Sequence, residues 1–310
     1  MESKCAAFWN HTNVRSDNRI FPCCRVKQPI DKFNGNIEQI LFSEEYEKLR
    51  ALSMKNIPIK GCEKCYYEES IGKKSLRQTF NENYSTDTVS LKFLEIGFDN
   101  ICNLTCDGCW GEFSSAWAKQ LNPNANKTIH IKNIEEITSI PSTINKVLFL
   151  GGEPLMTNRH KKLLKLVTDP STVDITYNTN GTFLLDIETV DILKNFNTVD
   201  FILSIDGYSE LNDRVRSGSK WSEILAFIDQ IKQLNFKLTI HTVLHKNNWH
   251  GIGDIKKFVD SIGEKWTINI LTYPKELDIA TIENKDDVKQ LFQSVDFPNK
   301  DQVLRHLYES

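Results

Sequence analysis

Three cysteines, Cys102, Cys106 and Cys109, share the short stretch Cys-Asn-Leu-Thr-Cys-Asp-Gly-Cys, separated by three and then two residues. Thiols at this spacing in a reducing compartment read as metal ligands rather than as disulfide partners. A structural zinc site asks for four ligands, and no cysteine or histidine follows closely after Cys109. Most iron–sulfur clusters also take four cysteines. Three on one loop therefore predict a [4Fe–4S] cube with one iron left open to an exchangeable ligand. Buried or zinc-bound cysteines are the alternative, and the ligand count disfavours it.

Such a loop must be held by regular elements. From Ser90 onward, short β-rich runs recur at 93–98, 147–150, 173–177, 199–205, 236–244 and 266–271. Between them lie stripes with apolar residues three or four apart. Ile224, Phe227, Ile228 and Ile231 form one, and Ile252, Ile255, Phe258, Val259 and Ile262 another. Strand and helix alternating in this way predict parallel βα units. A doubly wound open sheet and a partial barrel both fit, and in either the chemistry gathers at the C-terminal edge of the strands.

The cysteine loop follows the first of these strands. After the second comes Gly151-Gly152-Glu153-Pro154, whose glycines permit close backbone approach and whose carboxylate suits an ammonium group. A tight turn explains the same residues equally well. The third strand runs into Asn178-Thr179-Asn180-Gly181 and the fourth into Ser204-Ile205-Asp206-Gly207, with Arg216 twelve residues beyond Ser204. His241, His245 and Asn247 lie on or just after the fifth strand, where structural histidines are the simpler reading.

Taken in this order, the motifs resemble the radical S-adenosylmethionine (radical SAM) superfamily over residues 90–275. The resemblance implies a partial (β/α)6 TIM-type barrel as an α/β fold. In it, Cys102, Cys106 and Cys109 hold a [4Fe–4S] cluster, and S-adenosylmethionine chelates the open iron. Reductive cleavage then releases a 5′-deoxyadenosyl radical that abstracts hydrogen from substrate. It further implies cofactor-binding roles for Gly151, Gly152, Glu153, Pro154, Asn180, Ser204 and Arg216, and a catalytic or loop-orienting role for Asp206. Members often carry an aromatic residue before the last cysteine; here that position is Gly108, and Trp110 follows.

Residues 1–88 have a different texture, with five of the eight cysteines in irregular polar sequence, one amphipathic helix near 44–54 and a polar linker at 81–88. Cys5, Cys23, Cys62 and Cys65, with Cys24 spare, resemble the twitch or SPASM-like auxiliary-cluster module of the same superfamily. That module implies a second [4Fe–4S] cluster, with a structural zinc and free thiols as alternatives. The expected organisation is thus a cysteine-rich region at 1–88, a catalytic core at 89–275 and a C-terminal extension at 276–310.

The formal charge of −3 gives no global positive field for nucleic acid or an anionic membrane. No secretion signal and no membrane-spanning apolar run is evident, so a cytoplasmic enzyme is expected. Its partners would be an electron donor such as flavodoxin or ferredoxin and a peptide or small-molecule substrate. Peptide or protein modification is the leading expectation. A sugar or nucleoside substrate, and a non-catalytic iron–sulfur carrier or scaffold, are the alternatives.

Overall fold

The computed structural model describes residues 3–124, 128–131 and 136–309. Its strands in chain order are β1 (His11–Val14), β2 (Arg19–Phe21), β3 (Asp31–Lys32), β4 (Phe93–Gly97), β5 (Thr105–Cys106), β6 (Lys146–Leu150), β7 (Asp174–Thr179), β8 (Thr198–Ser204), β9 (Arg216–Ser217), β10 (Lys237–Leu244) and β11 (Lys265–Ile270). The six β-rich runs all form strands, displaced by at most two residues at an end. The fold class is mixed α/β with parallel strands, as a partial (β/α)6 barrel requires. No helix among the described residues is long and apolar enough to cross a membrane.

The chain divides into two compact units. The first contains described residues of 3–100, 128–176 and 188–197; the second those of 101–124, 177–187 and 198–309. In the first, β4 pairs in parallel with β6 on one side and with β1 on the other. β2 and β3 then extend from β1 as antiparallel strands. The cysteine-rich segment therefore supplies strands to the same sheet as β4, and the change near residue 88 is one of composition rather than of sheet. β1 is only His-Thr-Asn-Val, too short and polar for its alternation to stand out.

Val14, Leu94, Ile96, Val147 and Phe149 are all buried in this unit. The expected helix forms at Glu44–Met54, and its Tyr46 hydroxyl donates to His11 O at 3.0 Å. A further helix, Leu76–Asn83, starts at Ser75, where a reciprocal capping box with Gln78 satisfies two end donors. Its buried Phe80 carries the helix on through Asn83. Residues 81–83, expected within the polar linker, are therefore helical.

In the second unit β8, β10 and β11 run parallel. Val199, Phe201 and Leu203 bury one face of β8. Phe201 meets Phe227 edge-on at 5.6 Å, and Phe227 belongs to the buried stripe Ile224, Phe227, Ile228 and Ile231 of helix Trp221–Gln233. Burying each such side chain contributes about 1.5–3 kcal/mol. The opposite face of β8, with Asp200, Ile202 and Ser204, stays half-buried. Helix Ile252–Ile262 buries Ile252, Ile255, Phe258 and Val259 of the second stripe and ends at Gly263, whose φ of 70° completes a left-handed cap. The terminal helices Lys285–Ser294 and Lys300–Glu309 bury Val288, Phe292, Val303 and Leu307.

Candidate active site

The cysteine loop is shaped by side chains that follow it. Ser114 Oγ donates to Leu104 O at 2.7 Å and caps helix Ser115–Leu121 by accepting from Trp117 N. Ser115 Oγ donates to Cys102 O and accepts from Cys102 N, each at 3.2 Å. The Trp117 indole donates to Cys106 O at 2.9 Å. Gly108 turns the loop with a φ of +74°, and a Cβ there would stand 2.6 Å from Leu271 Cδ2. This explains why an aromatic residue is missing at 108: the backbone is left-handed and the space is filled. Trp110 lies just beyond, edge-on to Phe113 at 5.0 Å and to Tyr273 at 5.9 Å.

Cys102, Cys106 and Cys109 are all half-buried. Burial pushes the Cys106 thiol up to about 12 and the Cys109 thiol up to about 11. Thiols held this high are poor nucleophiles at neutral pH and ionise when a metal takes the proton's place. Among the described residues, no three His, Cys, Asp or Glu side chains converge closely enough to hold a single metal ion. A cube binds each thiolate through a different iron, so its ligands need not converge on one point. Three thiols on one loop fit a [4Fe–4S] cluster with an open iron better than a four-ligand zinc site.

Two sequence-distant segments brace this loop within the same unit. Asn180 Nδ2 reaches Asn103 Oδ1 at 3.0 Å and Cys102 Sγ at 3.9 Å. Its Oδ1 accepts from the Thr182 amide and hydroxyl, and Asn103 Nδ2 in turn donates to that hydroxyl. A two-stranded ribbon sets β5 against β9, pairing Cys106 with Arg216. Asp107 N donates to Val215 O at 2.8 Å beside it.

Arg216 NH1 donates to Asp206 Oδ2 at 2.6 Å, with both side chains largely buried. Burial works against the guanidinium charge. The paired Asp206 carboxylate outweighs it and holds the arginine protonated. Its buried Nε has no hydrogen-bond partner among the described residues, a donor left over for a ligand. Asp206 is engaged throughout: Oδ1 accepts from Val243 N at 2.7 Å, the backbone O from Asn248 Nδ2, and its N donates to Asn212 Oδ1. It orients Arg216 rather than facing an open space. Ser204 ends β8 half-buried, paired in register with His241.

His245 is almost wholly buried, its Nδ1 accepting from Asn247 N at 3.3 Å, and burial lowers its pKa. Asn247 Nδ2 donates to Asp107 Oδ2 at 2.7 Å, which ties the loop after β10 to the cysteine loop. Thr182, Trp117 and Asn248 were not legible as site residues. Each acts across a long sequence separation or through backbone groups, and no local spacing marks it.

In the first unit, Gly151-Gly152-Glu153-Pro154 turns directly after β6. Gly151 has a φ of +120°, and a Cβ there would lie 2.6 Å from Asp99 O. Gly152 N donates to that same oxygen at 2.9 Å. Buried Glu153 accepts from Leu155 N at 3.1 Å, capping the short 3₁₀ turn Pro154–Met156. These contacts make the four residues a tight turn.

The same unit gathers Cys5, Cys23, Cys62 and Cys65 around one small hollow, lined also by apolar Ala7, Phe8, Leu76 and Phe80 and by Arg25 and Arg77. All four are buried, whereas Cys24 is exposed. Burial raises Cys5 strongly and moves Cys23 and Cys62 up to about 11, each thiolate also raising its neighbours. Thiols raised in this way, Cys5, Cys23 and Cys62, stay protonated at neutral pH unless a metal takes the proton's place.

The family description "Radical SAM superfamily" matches residues 97–259. Over 219 residues the chain is 24% identical to GTP 3′,8-cyclase of Aliarcobacter butzleri, covering 69% of this chain and 65% of the relative. It is 29% identical to GTP 3′,8-cyclase of Alkaliphilus metalliredigens over 150 residues, 47% of this chain and 44% of the relative. Against 7,8-dihydro-6-hydroxymethylpterin dimethyltransferase of Methanocaldococcus jannaschii it is 24% identical over 186 residues, 57% of this chain and 34% of the relative. The chain therefore spans less than two thirds of the length of these curated relatives. Among solved structures, Streptococcus suis SuiB bound to S-adenosylmethionine aligns at a TM-score of 0.43 and 15% identity, covering 91% of this chain and 66% of that one.

Proposed function

Since this chain belongs to the radical SAM superfamily, we propose that it reductively cleaves S-adenosylmethionine and uses the resulting radical to abstract hydrogen from a substrate. Cys102, Cys106 and Cys109 would hold the cluster. Gly151, Gly152, Glu153, Pro154, Asn180, Ser204 and Arg216 would hold the cofactor. Bound there, the cluster and S-adenosylmethionine supply one-electron cleavage of a sulfonium carbon–sulfur bond. The protein's own residues position and shield. Asn180 and Asn103 fix the first cysteine, and Trp117 anchors the carbonyl of the second. Asp206 holds the guanidinium of Arg216 in one orientation.

The observation that carries this reading is Arg216. It is buried, strand-paired to Cys106, bound on one side by Asp206, and left with an unpartnered Nε. A guanidinium so placed suits a ligand carboxylate. Asp206 acts in this scheme as a positioning residue.

Cys5, Cys23, Cys62 and Cys65 would bind a second [4Fe–4S] cluster, supported by their gathering in one apolar hollow. The functional organisation proposed is an auxiliary-cluster region at 1–88, a core at 89–275 and an extension at 276–310. A cytoplasmic flavodoxin or ferredoxin would supply the electron. Peptide or protein modification is the substrate reading. A small heterocycle is the second reading, favoured by relatives whose names specify GTP and a pterin.

After anaerobic reconstitution, dithionite and S-adenosylmethionine should yield 5′-deoxyadenosine. Cys106→Ala should abolish that product while the N-terminal iron–sulfur absorption persists. Product formation by the variant would place the active cluster elsewhere.

A further inference from the structure

On the half-buried sheet face of the second unit, Ser204, His241 and Thr267 stand in one row. Ser204 pairs with His241 across β8 and β10, and His241 with Thr267 across β10 and β11. Residues paired in this way present their side chains to the same face. All three are half-buried, and Asn269, two residues further along β11 on that face, is exposed.

The contacts around His241 fix its tautomer. Its Nδ1 lies 2.8 Å from Thr267 Oγ1, and that hydroxyl donates to Ile240 O at 3.3 Å. A hydroxyl has one proton to give; with it committed to Ile240 O, Nδ1 carries the hydrogen and Thr267 accepts it. Nε2 is then a lone-pair acceptor. Its neighbour is Asn269 Nδ2 at 3.4 Å, a donor at the long limit of hydrogen bonding. One tautomer meets both contacts.

Burial lowers the pKa of His241; Asp206 opposes this and Arg216 adds to it. The ring is therefore neutral at physiological pH. Protonation would turn its acceptor into a second donor.

We infer that His241 and Asn269 form a substrate subsite for an amide edge on which N–H and C=O lie side by side. The substrate N–H replaces the long Asn269 contact at Nε2, and the Asn269 amide donates instead to the carbonyl. A backbone peptide in its trans form points these two groups in opposite directions and does not match. A primary carboxamide and a ring lactam both do. The assignment rests on the reading that the Ser204 row faces the cofactor. It narrows the substrate to an amide side chain of a peptide or a lactam heterocycle.

The test uses the whole protein labelled with ¹⁵N-histidine and needs no cofactor cleavage, so its failure is distinct from failure of the radical chemistry. Imidazole NMR of the wild type should show His241 protonated at Nδ1. Guanosine carries a lactam, and N-acetylglutamine methylamide a carboxamide; at least one should shift the Nε2 resonance saturably. N-methylacetamide, a purely trans amide, should not. By calorimetry, His241→Phe should weaken binding of the responding probe by at least about tenfold. His241→Gln, which restores an acceptor, should stay within about threefold. A response to guanosine assigns a lactam, and a response to the glutamine probe assigns a carboxamide. An Nε2-protonated ring, silence with both probes, or unchanged affinity in His241→Phe would overturn the proposal.

Discussion

Cys102, Cys106 and Cys109 come from one loop, whereas Cys5, Cys23, Cys62 and Cys65 come from three separated segments of the first 65 residues. The loop cysteines are half-buried, and polar groups brace them: Asn180, Ser115 and the Trp117 indole. The four N-terminal cysteines are buried in an apolar wall that includes Phe8 and Phe80. Three ligands with a polar surround suit a centre that must admit a charged ligand. Four buried thiols in a hollow walled by apolar side chains and by Arg25 and Arg77 differ on both counts. Under the proposed function, the contrast would separate a site built to exchange from a site built to store an electron or to hold the fold.

That contrast breaks most sharply at the second group. Cys65→Ala should remove the N-terminal metal outright, cutting bound iron by about half if each site holds one cube. Retention of full iron by the variant would dissolve the distinction. An intermediate effect is expected at Arg216→Lys, which keeps the charge and loses the planar fork. S-adenosylmethionine binding should weaken by about ten- to a hundredfold, as for the loss of a charge-assisted hydrogen bond to a carboxylate. Equilibrium titration checks this, and the N-terminal absorption should not change. The smallest effect is Gly108→Ala. Its left-handed φ of +74° and the crowding by Leu271 should cost about 1–2 kcal/mol, seen as a lower melting temperature of the metal-free protein.

The same two regions show what was legible in the sequence. The cysteine loop declared itself because its ligands are close in sequence and follow a short buried strand, β4. The parallel strands β8, β10 and β11 were legible because apolar residues recur on their buried positions, in β8 alternating with half-buried ones. The N-terminal region was harder. β1 carries His, Thr and Asn on a buried strand, and its place beside β4 is set by tertiary pairing rather than by pattern. Helix Leu76–Asn83 rests on a capping box and on Phe80, so its polar end resembled a linker.

Around the site, Asp206 illustrates the same limit. Its motif position suggested either orienting the loop or facing substrate; its carboxylate oxygens accept from Arg216 and from Val243 N. Only the folded arrangement shows its ion pair with the arginine. His241 shows the converse: as a lone histidine it read as structural, and its tautomer emerges only from Thr267 and Asn269, residues 26 and 28 positions away.

The account turns on the iron corner left open by Cys102, Cys106 and Cys109. The most direct measurement is electron paramagnetic resonance of the reduced Cys62→Ala/Cys65→Ala protein, in which only the loop cluster contributes. Adding S-adenosylmethionine labelled with ¹⁵N at its amino group should shift the spectrum and introduce hyperfine coupling to that nitrogen. A spectrum unchanged by the labelled cofactor would mean that the protein itself supplies a fourth ligand, and would contradict the account.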